Sequence, residues 1–153
     1  MATDRVNHKD WVVVTDGGRA LVLRNDGDAG NLLLTVLRKY DQNVPPTRDL
    51  GTDKPGRTHA RVGPGRSSME PTDFHQQEED RLMAEVAADL AEDLRRQKFS
   101  TLVVAAAPAA LGALRKAMSA ELRKAVVAEL PKDFTNMNLV KLGLALSQAL
   151  EAA

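Results

Sequence analysis

Phe99 to Ala107 reads FSTLVVAAA, nine residues whose only polar side chains are Ser100 and Thr101, and Pro108 follows at once. A strand with one face in water alternates apolar and polar residues, whereas a continuously apolar strand needs cover on both faces. Parallel strands in α/β proteins have that cover, because the crossover helices lie on the sheet. Proline is tolerated in the first turn of a helix, where its missing N–H has no intrahelical partner. The stretch therefore predicts a buried parallel strand that passes directly into a helix.

Working outward, Leu111, Leu114, Met118 and Leu122 form the apolar stripe of that helix, with Gly112 as a close-packing position. Residues 125–130 read as a last strand ended by Pro131, and a C-terminal helix would bury Leu139, Leu142, Leu146 and Leu150. Upstream, Leu82, Val86, Leu90 and Leu94 recur every four residues beside Met83 and Ala87, the pattern of an amphipathic helix. Thr72 or Asp73 can cap it, Glu78, Glu79 and Asp80 suit its start, and Arg95, Arg96 and Lys98 suit its end. Nearer the N-terminus, WVVVT (11–15) and RALVLR (19–24) flank Asp16-Gly17-Gly18, which predicts an antiparallel hairpin with a type I′ turn. A second turn cluster at 25–30 precedes residues 31–40, read as the third strand of a meander. Trp11 is expected at the sheet edge or over the core.

The order is β-β-β-α-β-α-β-α. It predicts a single mixed β-sheet with helices packed on it, for which a ribonuclease-H-like arrangement is the usual template. A chain of 153 residues with 43% hydrophobic content suits one domain over 11–153, behind a flexible N-terminus at 1–10. Lys plus Arg equals Asp plus Glu, 21 each, so any attraction to a polyanion has to be local. The absence of cysteine excludes disulfides, thiolate metal sites and thiol nucleophiles. The apolar run at 11–14 is too short for a signal-peptide core or a membrane span, which predicts a cytoplasmic protein with no membrane contact.

Residues 41–72 are the exception to this compact pattern. Structureless connections of that length are uncommon within domains, and are usually functional or disordered. Within them, KPGRTHARVGPGRSSM (54–69) contains Lys54, Arg57, His59, Arg61 and Arg66 and no acidic residue. These five are the candidate contacts for RNA or another polyanion, with affinity expected to fall steeply in salt. No aromatic residue lies among them, so base stacking has no platform there.

Several motifs together carry a resemblance: TDGGRALVLR (15–24), DLGTDKPGR (49–57), FSTLVVAAAPAALGALRKAM (99–118) and VVAELPKDFTNM (126–137). The chain from Trp11 to Leu150 resembles the bacterial host-attachment protein family, whose members carry the label of proteins required for attachment to host cells. Its most specific segments are DKPGR (53–57), AAPAALGALR (106–115) and KDFT (132–135). That family is similar in turn to the middle domain of archaeal and eukaryotic peptide-chain release factors, which implies the same strand and helix order. In release factors the equivalent loop carries a Gly-Gly-Gln that enters the peptidyl-transferase centre. This loop has Pro55-Gly56-Arg57 and Gly63-Pro64-Gly65-Arg66 but no Gly-Gly-Gln, so peptidyl-tRNA hydrolysis is not implied.

Other chemistry is less well supplied. A two-metal nuclease clamps attacking and leaving oxygens with a set of carboxylates. Asp16 with Glu78 or Glu79 would provide two positions, but the strand ending Ala105-Ala106-Ala107 provides no third. His8, His59 and His75 are scattered through polar segments, and Ser67 and Ser68 lack a nucleophile elbow. No metal or cofactor is expected. The reading is of a non-enzymatic cytoplasmic module that contacts RNA or the ribosome through 54–69. The alternative is a protein interaction module that affects attachment indirectly, and a hydrolase is third.

Overall fold

The computed structural model describes residues 6–41 and 71–152, the side chains of 71–76 and 152 excepted. Five strands, β1 (Trp11–Thr15), β2 (Arg19–Asn25), β3 (Leu34–Asp41), β4 (Leu102–Ala106) and β5 (Val126–Leu130), form one sheet in the order β3-β2-β1-β4-β5. β1 pairs antiparallel with β2 and β2 with β3, while β4 lies parallel to both β1 and β5. The helices are α1 (Pro71–Arg95), α2 (Pro108–Ala117), α3 (Ala120–Ala125) and α4 (Leu139–Ala152). The mixed α/β sheet expected from the sequence is present.

The strand at 102–106 is fully buried along its length, as its composition requires. Alternate residues serve two cores. Trp11, Val13, Leu102, Val104 and Ala106 face the layer of α1, α2 and α3, meeting Met83, Leu90, Leu111, Leu114 and Leu122. Val12, Val14, Val103 and Ala105 face α4 through Leu142, Leu146 and Leu150, with Phe134 and Val6 beside them. Trp11 covers the first core, not an edge; its ring stacks on Phe99 with centroids 4.6 Å apart.

Several local expectations need correction. The single helix read across Leu111 to Leu122 is two, because Met118 (ψ 141°) and Ser119 (ψ 165°) are extended and the Ser119 hydroxyl accepts from Leu122 N at 3.1 Å. The four-residue spacing survives the break since both helices present their apolar side to the same sheet face. α1 already includes Thr72 and Asp73, so neither is its cap; Pro71 stands in its first turn. Gly112 is not a close-packing site, since a Cβ there would meet nothing within 4 Å. Leu139, at the first position of α4, is 39% exposed and not buried.

Two polar fastenings hold the meander. Asn25 is fully buried; its amide donates to the carbonyls of Val6 and Asn7 at 3.0 and 3.1 Å, and its Oδ1 accepts from Gly27 N and Leu33 N at 2.9 Å. Within the stretch 1–10 set apart by the sequence, residues 6–10 are thus packed on the body. Between β3 and α1, Arg38 Nη1 lies 2.8 Å from buried Asp93, and the Tyr40 hydroxyl donates to Asp89 at 2.7 Å while accepting from Arg38 Nε at 2.9 Å. Burial and the neighbouring Asp89 push the Tyr40 phenol above its ordinary range.

Because Leu114 is fully buried and Val140 is exposed on α4, truncating each gives unequal costs. Leu114→Ala should lower unfolding free energy by about 2–5 kcal/mol, and Val140→Ala by no more than about 0.5 kcal/mol, in chemical denaturation of the full chain.

Candidate functional site

The carboxyl ends of β1, β3, β4 and β5 point the same way, here called the upper end of the sheet. The Asp16 turn, the start of α2 and the segment after β5 all leave from it, as do both limits of 42–70, Asp41 and Pro71. Lys54, Arg57, His59, Arg61 and Arg66 themselves lie outside the described residues.

The turn after β1 is built by side-chain acceptors. Asp16 Oδ1 accepts from Gly18 N and Arg19 N, both at 2.9 Å, and Thr15 Oγ1 accepts from Gly17 N at 3.1 Å while donating to Arg19 O at 2.7 Å. Only Gly17 has positive φ (+95°). A type I′ turn would need it at both central residues; positive φ at the first alone is the II′ pattern. A Cβ on Gly17 would stand 3.0 Å from the Glu79 carboxyl carbon, so Glu79 of α1 closes over the turn. This brings together Glu79 and the turn of Asp16, two of the acidic positions weighed from the sequence.

The segment 132–135 completes the arrangement. Thr135 Oγ1 donates to Asp133 at 2.6 Å and stands 3.3 Å from Asp16 Oδ2. Arg19 Nη2 donates to Asn136 Oδ1 at 2.7 Å and lies 3.4 Å from Asp16 Oδ2. Burial would raise the Asp16 carboxyl, but the two backbone N–H donors and the Arg19 guanidinium outweigh it and hold the group below the ordinary 3.8. Both Asp16 oxygens are occupied as acceptors, so the carboxylate fastens the turn to the segment after β5. Among the described residues, no three His, Asp or Glu side chains are grouped to hold a metal ion. His8, the one histidine with a described side chain, meets the Gly27 carbonyl at 2.7 Å, at the other end of β1 and β2 from this turn.

The profile of the family described as bacterial archaeo-eukaryotic release factor family 12 matches residues 9–144, from the strand that opens the sheet to the middle of α4. The chain belongs to that family. No curated protein matches it. Among solved structures, this family-12 chain is similar to one described as an archaeal translation termination factor, aRF1, at 11% identity and a TM-score of 0.47. The similarity covers 93% of this chain and 36% of that one, so the family-12 chain spans little more than a third of its length.

The matched span includes both halves of the Asp16 to Thr135 link and the segment 42–70. Sequence reasoning singled out 132–135 only through resemblance; nothing in its spacing shows that it meets a turn more than a hundred residues earlier. Asp16 and Gly17 can be tested separately. A carboxyl lowered by folding contributes stability above its ordinary pKa of 3.8, and loses it as pH falls through the folded value. Asp16→Asn should therefore cost about 1–2 kcal/mol at pH 7 and flatten this acid-side loss in urea titrations between pH 2 and 7. Gly17→Ala should cost about 1–3 kcal/mol through its positive φ, and adding Glu79→Ala should not restore it, because backbone strain persists once the neighbouring carboxyl is gone.

Proposed function

We propose that this family-12 chain is a translation-related module that contacts RNA or the ribosome and performs no hydrolysis of its own. Lys54, Arg57, His59, Arg61 and Arg66 are its polyanion contacts on this reading. The family match over residues 9–144 carries it, since the family is named for release factors. The Gly-Gly-Gln of peptide release is absent from 42–70, which separates binding from peptidyl-tRNA hydrolysis. The segment is joined at both limits to the upper end of the sheet, where the Asp16 carboxylate is committed to its own turn. An attachment role then follows indirectly, through synthesis of other proteins, and the protein acts in the cytoplasm.

A second reading, a protein interaction module, is favoured by one observation. On α4, Val140 and Leu144 are 76% and 61% exposed and lie one helical turn apart. Leu33 (59% exposed) follows Leu32, which packs within 3.4 Å of a Cβ built on Gly143. An apolar strip of this kind suits a protein partner better than a phosphate backbone.

The two readings separate in a sucrose gradient of cell lysate at low and high salt. The first expects salt-sensitive co-migration with ribosomal particles that is lost when Lys54, Arg57, Arg61 and Arg66 become alanine, and retained in Val140→Asp/Leu144→Asp. Co-migration unaffected by the loop substitutions but lost with the α4 pair supports the second. Migration at the top of the gradient at every salt concentration overturns the first.

A further inference from the structure

The described body concentrates free positive charge at the end opposite the Asp16 turn. Residues 71–94 contain eight Asp or Glu (Asp73, Glu78, Glu79, Asp80, Glu85, Asp89, Glu92, Asp93) against Arg81 alone. Residues 95–124 reverse this, with Arg95, Arg96, Lys98, Arg115, Lys116, Arg123 and Lys124 against Glu121 alone. Topology turns this sequence asymmetry into a spatial one. α1 runs from the upper end to the lower, where β4 begins; α2 descends from the end of β4; α3 feeds β5, which starts at the lower end beside β4. The first acids of α1 (Asp73, Glu78, Glu79 and Asp80) are thus up, while Glu92 and Asp93 lie below with the basic ends of α1, α2 and α3.

All seven cations are exposed. Arg95 and Arg96 pair with Glu92, Lys98 lies 3.9 Å from Asp93, and Arg115 pairs with Glu129. Lys116, Arg123 and Lys124 have no ion pair among the described residues. The dipoles of α2 and α3 favour cations in their last turns, which accounts for part of this placement. It does not account for three charges without an ion pair among the described residues, set on the two sides of the Met118–Ser119 turn in a stretch, 115–124, whose single acid is Glu121.

We propose that this lower pole docks on the phosphate backbone of an RNA duplex, with Lys116, Arg123 and Lys124 as the phosphate contacts. Single-stranded binding relies on bases stacked upon aromatic rings. Among the residues with described side chains, Trp11, Phe99 and Phe134 are buried, and the half-buried Tyr40 has its hydroxyl bonded to Asp89. A surface of cations without rings fits a duplex read through its phosphates and shape. The choice of RNA as the polyanion rests on the translation-related reading above. Its residues are not those of 54–69, so the two stand or fall on different side chains.

The experiment is fluorescence anisotropy of a labelled RNA duplex of about 16 base pairs with the full chain over a salt series. The wild type should bind at low salt. Lys116→Ala/Arg123→Ala/Lys124→Ala should lose at least tenfold in affinity and flatten the log affinity against log salt slope by roughly 2–3, near one per phosphate contact. The swap Lys116→Arg/Arg123→Lys/Lys124→Arg should bind like wild type. So should Lys39→Ala/Lys141→Ala, which removes exposed cations from other faces. Unchanged binding by the triple alanine variant, or no duplex binding by wild type at low salt, overturns the proposal. The variant with Lys54, Arg57, Arg61 and Arg66 as alanine is measured alongside. Its loss of binding with the triple variant intact overturns the pole and keeps the loop; the reverse result keeps the pole and overturns the loop.

Discussion

Parallel pairing of β1 with β4 is the constraint on which the remaining structure depends. Val12, Val13 and Val14 on one strand and Val103, Val104 and Ala105 on the other are fully buried, so this pair has no face to offer water. Burying a valine or leucine side chain contributes about 1.5–3 kcal/mol relative to leaving it exposed, and both faces need apolar partners for it. α1, α2 and α3 supply one cover, and α4 with Phe134 supplies the other. The antiparallel meander extends the sheet on the β1 side, where β3 is only part-buried and can carry Arg38, Lys39 and Tyr40.

Two-sided cover also fixes where polar chemistry can lie. Side chains along β1 and β4 are consumed by the cores, leaving the sheet's ends for anything that meets solvent or a partner. At the upper end, Asp16, Thr135, Arg19 and Asn136 are bonded to one another and tie the first hairpin to the segment entering α4. That network is saturated, and its carboxylate is kept ionised by donors that a reacting group would have to displace. The turn thus works as a structural joint between the first hairpin and the segment after β5.

The opposite ends of the body differ in charge although the chain is neutral overall. Neutrality of composition hides the separation because α1 opens with Glu78, Glu79 and Asp80 and runs out into Arg95, Arg96 and Lys98, whose only acidic neighbours along the chain there are Glu92 and Asp93. Helix-dipole preference explains why each terminus chose its sign. The cross-chain gathering of Lys116, Arg123 and Lys124 on that side comes from the direction of α2 and the short α3, set in turn by the parallel course of β4 and β5.

What the sequence determined by itself was local and periodic. FSTLVVAAA and Pro108 specify a doubly covered strand running into a helix, and the four-residue leucine spacing specifies the faces of α1 and α4, since burial acts on neighbours a fixed number of residues apart. The Ser119 cap was also legible as a serine followed by Glu121, but the unbroken apolar spacing on either side concealed it. Tertiary structure alone decided which distant polar residues meet. Asp16 reaches Thr135, Arg19 reaches Asn136 and Arg38 reaches Asp93 only because strand order, crossover direction and helix placement bring separated segments together. Hydrogen bonds and ion pairs act over a few ångströms, and no spacing along the chain records that proximity.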